Sequence, residues 1–192
     1  MFVDELITQS GSVAAALNLA SIDTKKAKVV GLYINTVVAT PAAVTFTAAV
    51  TDICTAVAHS YATGLRVAAT TTGTLPAGLS ATNYWIIKID ADTFKLASSA
   101  ANALAGTAVD ITGTGTGVHT LTPAAITGGS YKVQVSPDNI LWFDLATITN
   151  NVTATADFMH QLVDPSYSFV RVVWAVTTGQ IAYDVNTVVK EL

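Results

Sequence analysis

The feature that most constrains the fold of this chain is a two-residue alternation of apolar and polar side chains, which recurs in well-separated segments. The pattern is visible at residues 44–50, 131–136 and 169–176, and again at 28–38 and 181–186. A period of two sends successive side chains to opposite faces of a β-strand, whereas a helix would need a period near 3.6. We therefore expect antiparallel strands that bury one face and expose the other.

Short polar segments between these strands predict two hairpins. An Asp-Ala-Asp turn follows the apolar strand 84–89 and precedes a returning strand. Near the carboxyl terminus, the segment 177–180 (Thr-Thr-Gly-Gln) separates strand 169–176 from strand 181–185. Because Gly, Asp and Thr clusters are typical of turns, both pairs are expected to form hairpins on antiparallel sheets.

The composition favours a folded β protein. Hydrophobic residues make up 51% of the 192 residues and charged residues only 11%. Average proteins have about a quarter charged residues, and disordered chains are usually richer still in charge. Here threonine supplies much of the polar surface, and its β-branched side chain suits strands. A helical bundle is therefore disfavoured, and the apolar surplus suggests extensive contacts between subunits.

Membrane and nucleic-acid partners are not expected. No stretch approaches the ~20 nearly continuous apolar residues of a spanning helix, and residues 1–5 lack the pattern of a signal peptide. The net charge is −4, and residues 25–28 hold the only basic cluster. Nucleic-acid binding usually needs a basic stripe along the chain. The single cysteine, Cys54, excludes an internal disulfide.

The middle of the chain differs from its two ends, because residues 51–123 carry dense Gly, Thr and Pro punctuation. We expect an all-β fold: an antiparallel, jelly-roll-like β-sandwich built from residues 1–50 and 124–192. A small β domain at 51–123 would be inserted into it. Insertion of this kind is tolerated where a loop has its two ends close together.

The inserted segment resembles a module that recurs in structural proteins of tailed bacteriophages. Three motifs carry most of the resemblance: Leu-Pro-Ala-Gly at 75–78, Asp-Thr-Phe-Lys-Leu-Ala at 92–97 and Gly-Thr-Gly-Val-His-Thr-Leu at 115–121. The match spans most of residues 51–122. The outer segments resemble small virion proteins more loosely, through the strand and Ser-Pro-Asp turn at 133–142.

The resemblance implies a non-enzymatic structural protein of the virion, made in the cytoplasm of the bacterial host. A capsid decoration (cement) protein or similar small packing subunit is the first hypothesis. The second is a tail, baseplate or fibre component whose insert binds the host surface, where a glycan is one possible ligand. The implied partners are coat, portal or tail proteins and further copies of the chain as a homo-oligomer.

Candidate chemistry is sparse, and no catalytic, cofactor-binding or metal-binding residue is predicted. His59 and His119 flank the insert, but two histidines do not complete a zinc site. Asp90 and Asp92 fit Asx turns better than a calcium loop. The pair Asp138 and Asp144 is more readily explained by a turn than by glycoside hydrolysis.

Five side chains are candidates for surface contacts. Tyr84 and Trp85 are candidates for surface recognition by the insert. Phe169, Arg171 and Tyr183, on the expected carboxyl-terminal hairpin, are candidates for subunit contact. The other two tryptophans, Trp142 and Trp174, are expected in the core, because large aromatic side chains anchor β-sandwiches.

Overall fold

The computed structural model describes residues 3–25, 27–163 and 165–191, with only the backbone described at 3–4, 146–151 and 191. Met1, Phe2 and Lys26, on which the signal-peptide and basic-cluster expectations partly rest, lie outside the described residues. Almost all regular structure is β. The strands are β1 Val3–Val13, β2 Leu17–Asn18, β3 Ile22–Asp23, β4 Ala27–Val38, β5 Val44–Ala48, β6 Cys54–Thr55, β7 Arg66–Thr71, β8 Asn83–Lys88, β9 Thr93–Ala97, β10 His119–Pro123, β11 Gly128–Ser136, β12 Phe143–Asn151, β13 Ala156–Val163, β14 Phe169–Thr178 and β15 Ile181–Glu191. The helix α1 spans Ala100–Ala105.

Two sheets built from the ends of the chain form a jelly roll. Sheet I has the strand order β1-β15-β4-β13, and sheet II has the order β12-β11-β14-β2, with β3 also paired to β14. If β2 and β3 count as one strand, the sandwich has eight strands in which the first pairs with the last, the second with the seventh, the third with the sixth and the fourth with the fifth. All these pairs are antiparallel. This nesting is the double-sheet jelly-roll arrangement, and the expected fold class is confirmed.

The alternating pattern identifies the inward faces of these strands correctly. Val30, Leu32 and Ile34 of β4 are buried, and so are Val170, Val172 and Trp174 of β14. Trp174 is at the centre of the core, where its ring stacks on Tyr183 at 5.3 Å and lies 5.3 Å from the ring of Tyr131. Burial of these side chains is the main source of stability for the sandwich.

The middle of the chain folds into a closed six-stranded barrel with its own core. The strand order around the barrel is β10-β5-β6-β9-β8-β7, with β7 closing on β10. Its interior is filled by fully buried side chains such as Leu65, Phe94 and Leu121. The expected hairpin at 84–96 is present as β8 and β9. Closure leaves the barrel without free strand edges, apart from the strand ends.

The barrel begins earlier in the chain than the expected boundary at residue 51. Strand β5, which the alternating pattern placed in the outer sandwich, pairs with β10 and β6 inside the barrel. Its inward residues Phe46 and Ala48 belong to the barrel core, and Val50 is 63% exposed rather than buried. The alternation was correct, but a period of two does not reveal which sheet a strand joins.

The expected hairpin between strands 169–176 and 181–185 is wrong. Strand β14 lies in sheet II and β15 lies in sheet I, so residues 179 and 180 cross from one sheet to the other. Gly179 permits the sharp crossing, because its φ is +87° and a Cβ there would lie 2.6 Å from the backbone N of Ile126. Strands seven and eight of a jelly roll always separate in this way.

The barrel is held against the sandwich by a specific seam. The buried side chain of Gln180 accepts a hydrogen bond from the Ala62 N–H at 2.6 Å and donates one to the Ser60 carbonyl at 3.1 Å. A Cβ built on Gly64 would lie only 2.6 Å from the Cβ of Ala15. The backbones of barrel and sandwich therefore meet closely, and the barrel is a fixed extension rather than a tethered one.

The chain connections place the barrel at one end of the sandwich and leave the other end free of it. Strand β4 leads into the barrel and strand β11 leads out of it, so the barrel attaches where β4 ends and β11 begins. Strand β11 then runs away from the barrel, and the loop at 137–142 lies at the opposite end of the sandwich. We call this opposite end the distal end. Backbone hydrogen bonds from Thr24 to Ser168 and from Ser168 to Ser136 tie its loops together.

Candidate interaction surface

A row of polar side chains crosses the outer face of sheet II. Asp144, Gln134 and Arg171 are directly opposite one another in the register of β12, β11 and β14. Gln134 donates to Asp144 at 2.7 Å, and its side-chain oxygen accepts two bonds from the Arg171 guanidinium at 2.9 and 2.7 Å. Lys132 donates to the other Asp144 oxygen at 2.7 Å, and this bond is the first cause that keeps the pKa of Asp144 below its usual value.

Aromatic rings extend this row toward the distal end. The Arg171 guanidinium lies 4.0 Å from the centre of the Trp142 ring, within the range of a cation–π contact. The Lys25 ammonium lies 4.6 Å from the centre of the Phe169 ring. Among the described residues no carboxylate pairs with Arg171. The expectation that Trp142 anchors the core is wrong, because Trp142 is half-buried beneath Arg171 on the surface.

The distal loop presents two apolar side chains on a rigid turn. One oxygen of Asp138 accepts the backbone N–H groups of Ile140 and Leu141, both at 2.9 Å. Ser136 accepts the N–H of Asn139 at 2.8 Å, and Asn139 adopts a positive φ of 64°. Ile140 is nevertheless 79% exposed and Leu141 61% exposed. We call these two side chains the knob, and its shape is set before any partner binds.

The structure brings two of the five candidate residues together. Phe169 and Arg171 lie on the outer face of sheet II beside the knob. Tyr183 faces the core, where its half-buried ring stacks on Trp174. Tyr84 is also buried, with its hydroxyl accepting the Ser80 N–H at 2.8 Å. Trp85, the next residue along β8, points to the opposite side of the strand and is half-buried on the barrel.

Sequence reasoning missed the knob itself, although a signal for it was present. Residues 136–143 read Ser-Pro-Asp-Asn-Ile-Leu-Trp-Phe, a turn followed at once by four apolar side chains. A run of this kind is normally assigned to the core. The turn hydrogen bonds of Asp138 instead hold its first two members out in solvent.

A groove runs along the barrel on the outer side of β5. It encloses about 990 Å³ and is lined by β5, by residues 55–57 and by the glycine-rich loop 114–118. Thr45 and Thr47 supply hydroxyl groups along its floor, and Val57 and Val118 are exposed at its rim. The backbone of the glycine-rich loop packs closely against the backbone at Thr74, since a Cβ on Gly115 would lie 2.4 Å from the Thr74 carbonyl oxygen. This close packing holds the loop in place.

The histidines are engaged in hydrogen bonds within the fold. Buried His59 accepts the Tyr61 N–H through Nδ1 at 3.1 Å, and buried His119 contacts the Thr71 hydroxyl and the Thr114 carbonyl at 2.9 and 3.1 Å. On β13, the His160 ring lies 2.7 Å from the Tyr131 hydroxyl, and burial lowers its pKa. Through these contacts the histidines help to position the neighbouring strands and loops.

The remaining candidates for chemistry also have local roles. Asp90 accepts the Asp92 and Thr93 N–H groups at 2.8 and 2.7 Å, which confirms its expected Asx turn and lowers its pKa. Burial raises the pKa of the Cys54 thiol to about 12. Among the described residues, no group of three or more His, Cys, Asp or Glu side chains is placed to hold a metal ion. Within the same ranges, no helix is long and apolar enough to cross a membrane.

Comparisons with known proteins add little to the geometry. No protein-family model matches the chain, and no curated protein matches it. Among solved structures, the chain is similar to VP17, a capsid protein of bacteriophage P23-77. That match is 12% identical and covers 100% of this chain and 97% of VP17, with a TM-score of 0.26. The jelly-roll assignment comes from the strand order of the two sheets.

Proposed function

We propose that the chain is a non-enzymatic structural subunit of a tailed-phage virion, and that it acts as a capsid decoration or similar packing protein. The observation that carries the proposal is the difference between the two ends of the molecule. A jelly roll has a compact barrel fixed at one end and a rigid, exposed apolar knob at the other. Such a molecule is suited to docking by one end and projecting the other.

The fold is compatible with this role. Jelly rolls occur in viral capsid proteins, and also in lectins and cupins. Among these classes, the phage-like motifs in the barrel sequence favour a viral structural protein. The low charge adds support, because 11% charged residues leave broad neutral surfaces that neighbouring subunits would cover.

A host-binding role in a tail, baseplate or fibre is the second candidate, favoured by one observation. The threonine-lined groove of about 990 Å³ on the barrel is large enough for a small ligand, and its hydroxyl groups suit a polar one such as a host glycan. In this case the barrel would contact the cell surface, and the sandwich would remain the part bound to the particle.

Co-sedimentation separates the two candidates. The purified chain is mixed with capsids that lack it, with isolated tails and with host cells. A decoration protein is expected to sediment with capsids, and a host-binding tail component with tails and cells. A chain that binds none of the three would contradict both candidates.

A further inference from the structure

A second apolar feature lies across the sandwich from the knob, on the outer face of sheet I. Gly31 lies within β4, and directly beside it in the register are Val188 of β15 and Gln161 of β13. The missing side chain leaves a depression of about 280 Å³ lined by Val29, Tyr33, Met159 and Val188 among others. We call this depression the hollow.

The hollow has the properties of a binding surface rather than of a chance depression. Tyr33 is 47% exposed and Met159 69% exposed, although both are large apolar side chains. Glycine weakens a strand interior, and it often marks a place where another group approaches the backbone closely. Here the Tyr33 ring packs over Gly31, since a Cβ built on Gly31 would lie 3.2 Å from it, and the ring forms one wall of the depression.

The knob and the hollow both lie in the distal half of the molecule, on opposite sides of the sandwich. The knob lies at the distal end beside the outer face of sheet II. Gly31 is the fifth residue of β4, which begins at the distal end, so the hollow lies in the distal half of sheet I. Two copies placed side by side, with their barrels pointing the same way, can be shifted along the strand direction until the knob of one meets the hollow of the other.

Charges of both signs border the two features, since Lys190 lines the hollow and the Asp138 carboxylate supports the knob beside Arg171. Arg171, next to the knob, has no carboxylate partner among the described residues and retains free N–H groups after bonding Gln134. Asp157 lies two residues before Met159, at the border of the hollow. Its Oδ1 accepts a hydrogen bond from the Asn35 side-chain amide. Opposite charges at the rim of an apolar contact set its orientation.

We propose that the occupant of the hollow is the knob of a second copy of this chain. The contact is head-to-tail, with Ile140 and Leu141 of one copy packed between Tyr33 and Met159 of the next. Contacts that use two different surfaces repeat from copy to copy and close into rings when the rotation allows it. All barrels then project from one side of the assembly. The contact itself is argued from the two surfaces. Only the purpose of the resulting assembly rests on the proposed virion role.

The test uses the isolated full-length chain and two exposed substitutions. Leu141→Asp disables the knob, and Met159→Asp disables the hollow. Each is expected to weaken self-association on the order of 30-fold, as the loss of a central apolar contact does. Val50→Asp is the matched control, because Val50 is 63% exposed on the barrel, similar to Leu141 and Met159, and lies outside the knob, the hollow and the groove. Sedimentation velocity gives the masses, and circular dichroism checks that each variant is folded.

A mixture of the two disabled variants gives the sharpest result. Each retains one working surface, so together they are expected to form pairs and nothing larger, while each alone stays monomeric. The wild type and Val50→Asp are expected to form larger assemblies. A monomeric wild type at every concentration, a loss caused by only one variant, or a mixture that forms no pairs would overturn the contact. Should Leu141→Asp not fold, Ile140→Asp tests the same knob. None of these outcomes depends on whether the chain binds capsids, which is measured separately.

Discussion

At the scale of single residues, the polar and reactive side chains of this protein mostly shape its own backbone. Asp138 and Asp90 organise turns, Gln180 joins the barrel to the sandwich, and His160 lies against Tyr131. From residue types and spacing, the sequence alone predicted no complete metal site. It could not distinguish Trp142 from Trp174, because both sit beside apolar neighbours and only the turn at 136–139 places Trp142 on the surface.

The pH dependence of stability is expected to include a contribution from His160. Burial lowers its pKa below the usual 6.5, so in the pH range just below that value the unfolded chain binds a proton that the folded chain does not. The free energy of unfolding should therefore fall as the pH drops below about 6.5. Urea unfolding at pH 7.5 and 5.5 measures the change, and His160→Gln should show a smaller change. An identical change in both proteins would contradict the assignment.

The Cys54 thiol is expected to be inert in the folded protein. Its side chain is fully buried in the barrel core, and burial, with Asp52 as a second cause, raises its pKa to about 12. Since the thiolate is the reactive form, a chromogenic disulfide reagent should react only after unfolding in guanidinium. Stoichiometric reaction of the native protein at pH 8 would show that the barrel opens readily.

At the scale of elements, alternation identified which side of each strand is buried but not which strands are neighbours. The faces of β4, β11 and β14 were predicted correctly from the apolar positions. The membership of β5 in the barrel and the separation of β14 from β15 were not, because sheet partners depend on pairings between residues distant in sequence. The knob was missed for a related reason, since exposure depends on how the adjacent turn directs the chain.

The close approach of barrel and sandwich predicts unequal effects of two glycine substitutions. Gly64 and Gly106 both have positive φ, +89° and +74°, so alanine at either position introduces backbone strain of about 1–2 kcal/mol. Among the described residues nothing lies within 4 Å of a Cβ on Gly106, whereas a Cβ on Gly64 would collide with Ala15. Gly64→Ala should cost about 1–3 kcal/mol more than Gly106→Ala. Equal losses in chemical denaturation would contradict the seam.

The turn that supports the knob is expected to depend on one carboxylate. Asp138→Ala removes the acceptor for the Ile140 and Leu141 N–H groups, so hydrogen exchange at these two amides should accelerate while the sandwich core stays protected. Asn139→Gly is the control, because glycine readily adopts the positive φ found there. Unchanged exchange in Asp138→Ala would show that the loop is held by other contacts.

At the scale of the whole molecule, two cores are joined by two chain crossings and a short seam. The entry and exit of the barrel are adjacent, since Val44 is the cross-strand partner of Leu121. The sequence predicted an insertion of this kind from the change in composition after residue 50. It could not predict the seam, because Ala14, Ala15 and Gln180 carry no pattern that marks them as contacts with the barrel.

The sandwich is expected to fold when the whole barrel is replaced by a short glycine-rich linker. The replacement should span residues 43–123, so that β5 leaves with its barrel partners. The comparison protein has residues 51–123 replaced instead, so β5 remains but its neighbours β6 and β10 are gone. This protein should be less stable and more prone to aggregate. Thermal unfolding measures both. Loss of a cooperative transition in the longer deletion would show that the sandwich needs the barrel.

The central claim, that the chain is a virion subunit docked away from its barrel, is tested most directly by an electron cryomicroscopy reconstruction of particles assembled with the purified protein. We expect density for the jelly roll against coat neighbours, with Ile140 and Leu141 buried in a contact and the barrel facing solvent. Particles with no added density, or with the barrel buried and the distal end exposed, would contradict the account.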